Sequence, residues 1–284
     1  MKYDTVLGLG NFGCSMALLF AKKYNTIFFD TEEWDIDNFV YLEERDTHQK
    51  MDEIDIPVDW VNKVSENVLV FVCGSGIVSG CLLSLLEKIK DKKINIVYFA
   101  PLENSLTKQR KRNHELVFNV VQEYTRSGLF NELVIFDEKS MLENIPEVTL
   151  LNKYEKINEY IFNILENIKF YSSEKVLFGN KSIFSEHYRI SSVGFMDVNT
   201  GKEIGLYNFR KKDEKVLDVP LEKHYYYVVS RNKAENDDSL LLSVYNLFEK
   251  KIQETEDSIS YSVHVSDYEK EFCYFVQKTS QTGV

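Results

Sequence analysis

Apolar and polar residues fall along the first half of the chain in blocks that separate strands from helices. Tyr3 to Leu7 opens with a short apolar run, and Thr26 to Phe29 forms a second that ends at Asp30. Between them Met16, Ala17, Leu19 and Phe20 recur at helical spacing, predicting a helix over Gly13 to Lys23. Residues 32–56 break the rhythm: they are acidic and irregular, and a short helix is predicted after them at Val58 to Ser65. Val68 to Val72 is apolar without alternation, the pattern of a parallel strand covered on both faces. Then come a helix at Leu82 to Lys90, a strand at Ile94 to Ala100, a long helix from about Asn104 to Thr125 and a strand at Glu132 to Phe136. Strands alternating with helices predict an α/β fold with a doubly wound parallel sheet, which binds ligands at the carboxyl ends of its strands.

The second half has another texture. In Leu150 to Phe170, residues Tyr154, Ile157, Ile161, Ile164, Leu165 and Ile168 keep helical spacing, predicting a helix of about five or six turns. Beyond it, Arg189 to Val198, Lys223 to Ser230, Ser258 to Val265 and Glu271 to Lys278 read as strands rich in Val, Ile, Tyr and Phe. One helix intervenes, Asp238 to Thr255, capped by Asp237 or Asp238, and NTGKE at Asn199 to Glu203 is a hairpin turn. The expected organisation is an α/β domain over 1–148, a central connecting helix over 149–171 and a smaller α+β domain over 172–284.

Composition narrows the class. The chain has 284 residues, 44% hydrophobic and 28% charged, ordinary proportions for a globular protein. A net charge of −11 disfavours general nucleic-acid binding through a basic surface. No apolar run approaches the roughly 18 residues of a membrane span, and MKYDTVLG lacks the layout of a signal peptide. Cys14, Cys73, Cys81 and Cys273 show no C-x-x-C spacing and read as reduced thiols. The five histidines have no metal-ligand spacing, so no metal site and no histidine chemistry is expected. A soluble cytoplasmic protein without membrane partners is the expectation.

Glycine is scarce, 12 in all, yet six gather in two places. VLGLGNFGCSMA, Val6 to Ala17, carries Gly8, Gly10 and Gly13 at G-x-G-x-x-G spacing, after a strand and before a helix. With Asp30 about 20 residues on, this fits a dinucleotide fingerprint. GSGIVSG, Gly74 to Gly80, repeats the design after Val68 to Val72, with the Ser75 and Ser79 hydroxyls able to join backbone N–H groups in an anion cradle. One glycine turn serves one pyrophosphate, whereas two on neighbouring strands can enclose two or three phosphates. The plainer alternative for each is a tight turn whose small residues serve packing. An NAD(P) site and a nucleoside triphosphate site both stay open on this pattern.

In their order along the chain these pieces resemble the tubulin/FtsZ superfamily of GTP-binding filament proteins. GLGNFGCS stands where the family has its glycine-rich opening loop. GSGIVSG matches the GGGTGTG signature at Gly74, Gly76 and Gly80, with Ser79 for the second threonine. YFAPLENSLTKQRKRN supplies a proline loop (Pro101) leading to Arg110, Lys111 and Arg112, and ELVIFDEKSML resembles the strand before the central helix. KYEKIN places Tyr154 and Asn158 at the spacing of the family's base-reading aromatic and amide. The likeness covers Tyr3 to Phe170; the rest has the right element order but no motif.

The resemblance implies GTP as ligand, with Mg²⁺ accompanying it. Gly10, Asn11, Phe12, Gly13 and Ser15 would line one side of the phosphates, and Gly74, Ser75, Gly76, Val78, Ser79 and Gly80 the other. Arg112 would supply a cation near phosphate or ribose, against the plainer reading of a solvated basic patch. Lys108 stands where the family has a ribose-binding Glu, and Glu103 is the substitute in the same loop. Tyr154 would stack on the purine and Asn158 meet its edge; otherwise Tyr154 is core and Asn158 surface. Head-to-tail self-association is implied, with nucleotide at the subunit interface; no adaptor or cargo is indicated.

Hydrolysis in the family uses acidic residues on a loop after the central helix, in an N-x-D-x-x-D-like pattern. Here the corresponding stretch, YSSEKVLFGNKSIFSEHYRISSVGF, has only Glu174 and Glu186 as acids. Glu186 is the catalytic candidate, its alternative an ordinary carboxylate on a helix face, and slow or absent GTP hydrolysis is expected. Two other functions remain in view: a non-polymerising nucleotide-binding partner protein, and an NAD(P)-binding regulatory or dehydrogenase domain resting on GLGNFG and Asp30.

Overall fold

The five apolar runs of the first half become parallel strands, and an unexpected sixth joins them: β1 (Thr5–Leu9), β2 (Asn25–Asp30), β3 (Phe39–Tyr41), β4 (Asn67–Val72), β5 (Lys93–Ala100) and β6 (Glu132–Asp137), of which β3 is the addition. Their order in the sheet is β3-β2-β1-β4-β5-β6. Every residue of β1 is buried, as are Val68 to Val72 of β4, which explains why neither sequence alternates. The chain walks outward from β1 to β3 and then crosses back to β4, so the topological switch point lies between β1 and β4. Leu9 pairs in register with Val72, and a glycine turn leaves the carboxyl end of each strand there.

The computed structural model describes residues 2–182, 184–207, 209, 221–253, 255 and 257–280. They divide into two units, Met1–Phe162 and Asn163–Val284. In the first, the helices are α1 (Gly10–Phe20), α2 (His48–Met51), α3 (Leu82–Glu87), α4 (Lys108–Arg126), α5 (Glu138–Asn144) and the first part of α6 (Lys153–Ser173). The division between the units falls inside α6, after Phe162. Several ends differ from the expected ones. α1 begins on Gly10 itself, so the opening turn is already the first turn of a helix rather than a loop before one. β3 and α2 lie inside the acidic stretch 32–56, and the helix expected at Val58 to Ser65 is a single 3-10 turn, Val61–Lys63. α4 starts at Lys108, capped by Thr107 accepting from the Arg110 N–H, and Asn104 belongs to a separate 3-10 turn. Trp60 packs edge-on against Phe29 of β2 at 4.9 Å.

The second unit holds β7 (Phe178–Gly179), β8 (Ile190–Met196), β9 (Glu203–Gly205), β10 (Glu222–Ser230), α7 (Arg231–Asn236), α8 (Leu240–Gln253), β11 (Ser258–Ser266) and β12 (Phe272–Thr279). The order is β8-β12-β10-β11-β7, with β9 against β8. Among the described residues of this unit only β10 and β11 pair in parallel, which is why helices bridge them; the other pairs are antiparallel. The expected turn NTGKE joins β8 to β9, and Asp197 Oδ1 closes it by accepting from the N–H groups of Asn199 and Thr200, both at 2.9 Å. The helix expected at Asp238 to Thr255 is α8, and Glu254 lies outside the described residues.

α8 lays Val244 and Phe248 onto the sheet, where Phe248 stacks on Tyr261 at 4.2 Å beside Tyr225. Next to this core, Glu203 accepts from Lys223 Nζ, Lys251 Nζ and the Tyr225 hydroxyl, each at 2.7 Å. Burial works to raise the Glu203 carboxyl, but the Lys223 ammonium and the three hydrogen bonds outweigh it and bring the pKa down to about 2.

Candidate functional site

The two glycine turns face each other across the switch point. Gly10 has φ +70, and a methyl built on it would lie 3.7 Å from Val78 Cβ of the second turn. Gly13 serves closeness instead, packed against the Phe71 backbone of β4. Asn11 is exposed, and Ser15 is half-buried. The Phe12 ring stacks on Phe99 of β5 at 4.6 Å, so its side chain is committed to packing. Backbone N–H groups at the start of α1 are what this side offers a ligand.

In the second turn the hydroxyls do not stand free, a departure from the expected cradle. Ser79 Oγ lies 2.7 Å from Gly76 O and 2.9 Å from Gly74 O, and its proton is given to these carbonyls. Ser75 Oγ sits 3.4 Å from Cys73 Sγ. Gly74 is packed beneath Tyr98, and Gly80 against α2, where an added Cβ would meet His48 O at 2.0 Å. The helix expected at Leu82 to Lys90 is short, a 3-10 turn at Val78–Cys81 followed by α3. Gly76, with nothing within 4 Å of an added Cβ, the exposed Ile77, and Val78, beside Gly10, are the residues of this turn that leave or border open space.

Around these turns the other candidates are placed as follows. Arg112 is exposed on α4, while neighbouring Lys111 pairs with Glu103 at 2.8 Å. Glu103, the expected sugar-binding substitute, thus already holds a cation. Tyr154 is 60% exposed and is not core. Lys153 Nζ lies 4.7 Å from its ring centroid and also pairs with the buried Glu138 carboxylate. Asn158 is 7% exposed and is not a surface residue. It shares a helix face with Phe162, four residues on, which meets Phe20 of α1 edge-on at 4.8 Å. Asn158 Oδ1 has no hydrogen-bond partner, so a buried acceptor is left waiting for a donor.

Glu186 is exposed and sits in a turn before β8, not on a helix, and its backbone carbonyl accepts from Arg189 Nε at 3.1 Å. Asp30 ends β2 with its carboxyl buried; burial raises its pKa, and Oδ1 accepts from the Thr31 N–H at 2.8 Å. Among the described residues no group of three His, Cys, Asp or Glu is placed to hold a metal ion, and no helix is long and apolar enough to cross a membrane.

Two residues of this region carried no signal in the sequence. Glu138 accepts from the Leu102 N–H at 2.7 Å while pairing with Lys153, which fixes the loop after β5 and the start of α6 together. His48 Nε2 approaches Ser79 Oγ at 3.3 Å from 31 residues away in sequence. Such long-range pairs have no local period to betray them.

No family model and no curated protein matches the sequence. Solved structures do. A GDP-form protofilament of Bacillus thuringiensis serovar israelensis TubZ superposes with a TM-score of 0.69 at 14% identity, over 99% of this chain and 85% of that one. A GTPγS-bound protofilament of CetZ2 from Haloferax volcanii gives 0.67 at 10% identity, over 99% and 94%. An empty FtsZ dimer from M. jannaschii gives 0.65 at 12% identity, over 98% and 88%. The fold of this chain is therefore tubulin/FtsZ-like along nearly its whole length, as its glycine turns and central helix had implied.

Proposed function

We propose that the chain binds GTP in the crevice between the two glycine turns and assembles head to tail into filaments, with slow or absent hydrolysis. The observation that carries this reading is the position of the turns. Both leave the strands that flank the switch point, Gly10 and Val78 meet across it, and an added Cβ at Gly76 would stand in open space. The N-terminus of α1 favours an anion there. Arg112 is an exposed cation on the helix whose Val117 packs at Gly74. Tyr154, with one face beside Lys153, is exposed enough to stack on a base, and the unpartnered Asn158 Oδ1 would accept from a purine N–H.

Neither glycine turn contains an acidic residue. Mg²⁺ would accordingly be held by phosphate oxygens and water with no carboxylate from either turn. The protofilament form of the TubZ and CetZ2 structures supports assembly of this chain. Glu186 in its exposed turn, with no acidic pattern around it, supports weak catalysis on a neighbour's nucleotide.

The test is displacement of a fluorescent GTP analogue by unlabelled GTP, ATP and NADH. Displacement by GTP alone supports the proposal, while displacement by NADH without competition from GTP would return the site to a dinucleotide. Asn158→Ala should weaken GTP about tenfold, or about 1.4 kcal/mol, by removing the base acceptor. An unchanged Kd would take Asn158 out of the site. Phosphate release should stay slow even where GTP drives pelleting, and a turnover like that of standard family members would refute the expectation for hydrolysis.

A further inference from the structure

Behind the second glycine turn, on the side of α2 and α4, lies a partly open cavity of about 290 Å³. This approaches the lower end of ligand pockets, roughly 300 to 1,000 Å³. Its walls are of two kinds. α3 and α4 contribute aliphatic side chains, Leu83, Leu116, Val117 and Val120 among them, whereas α2 and its end contribute His48 and Asp52. The cations of this segment are occupied elsewhere: Arg45 pairs with Glu43 at 2.6 Å and Lys50 with Asp46 at 2.9 Å. Asp52 accepts from the Ser84 hydroxyl at 2.7 Å but has no cation beside it among the described residues. One wall is therefore acidic and the others hydrocarbon.

The His48 ring adds an acceptor. Because Ser79 gives its one proton to the turn carbonyls, toward His48 it can only accept. Neutral His48 then carries its proton on Nε2 and leaves Nδ1 as an acceptor. Burial favours that neutral form.

We propose that this cavity is an effector site, separate from the nucleotide crevice, for a small amphiphile with a hydrocarbon body and an ammonium head. The body fills the aliphatic walls, and the head meets Asp52 and His48. Through the His48–Ser79 contact, and through Gly80 packed on His48 O, occupancy is felt in the turn that faces Gly10. The regulatory meaning of that link rests on the nucleotide reading above; the site itself does not.

The experiment is a titration of the full chain, methyl-labelled at Leu and Val, with octylammonium, 1-octanol and octanoate. Octylammonium should shift the cavity methyls saturably, with octanoate at least ~10-fold weaker. Asp52→Asn should bring the amine down to the affinity of the alcohol. Leu116→Trp, at a half-exposed wall position, should block binding with an unchanged Tm. Equal binding of amine and carboxylate, or shifts confined to residues outside the cavity, would overturn the site. Ser79 and Gly80 themselves line the cavity, so the link is read at Gly76, whose amide should move with the amine in the wild-type chain. If the Gly76 amide stays fixed while the cavity methyls shift, the link to the turn is wrong. Since neither readout uses nucleotide, a chain that bound the amine but not GTP would refute the proposed function and leave this site standing.

Discussion

Gly76→Leu is expected to fold like the wild type and to bind GTP at least ~100-fold more weakly, a loss of about 2.7 kcal/mol. Nothing lies within 4 Å of a Cβ at this position, and its φ is outside the left-handed region, so the backbone tolerates a side chain. The new side chain would extend into the open space beside this turn, where the phosphates are proposed to lie. Gly80→Ala is the contrasting control. There the added methyl meets the His48 carbonyl at 2.0 Å, so α2 must shift, and overpacking of this kind costs about 1–3 kcal/mol. One variant should lose binding with its Tm intact; the other should lose Tm. Wild-type GTP affinity in Gly76→Leu would remove the crevice as the phosphate site.

Glu203→Gln should cost about 3 kcal/mol of stability at neutral pH, the low end of the range for breaking a buried ion pair from one side, because this one is only partly buried. Lys223 and Lys251 would be left partly buried against Phe275 and the α8 core with their shared carboxylate gone. The pH dependence follows from the direction of the shift. The folded-state pKa is depressed to about 2, so the contribution is complete above the ordinary carboxylate range and is lost as pH falls through that range toward the folded value. Urea midpoints of wild type and variant should therefore converge between about pH 5 and pH 2. A gap that stayed constant with pH would assign the loss to packing rather than charge.

Long uninterrupted apolar runs made β1, β2, β4, β5 and β6 legible, because a strand buried on both faces has no polar position to disguise it. α6 was legible from its period, although it begins at Lys153 and leaves Leu150 and Leu151 outside, the latter 98% exposed. β3 and α2 were hidden, since three or four residues cannot express a period and both sit among acidic residues. The glycine turns were visible, but not the division of labour within them. A glycine marks a place where the backbone is left bare, not whether open space lies beside it, as at Gly76, or protein backbone, as at Gly80. The same limit applied to Ser79, whose hydroxyl was assigned outward and turns inward. Tyr154 and Asn158 were identified as a pair, yet only packing could show that the aromatic stands in solvent and the amide is enclosed.

The packing of Trp60 on Phe29 decides how this protein can be watched. The chain has two tryptophans, Trp34 and Trp60, and both precede Phe162, whereas the second unit has tyrosines such as Tyr225, Tyr227 and Tyr261 and no tryptophan. Indole emission therefore reports melting of the first unit alone, and loss of the second would pass unseen by it. The Glu203 variant has to be followed by circular dichroism or tyrosine signals. A mismatch between those curves and the indole curve would be the optical signature of two units that unfold in separate steps.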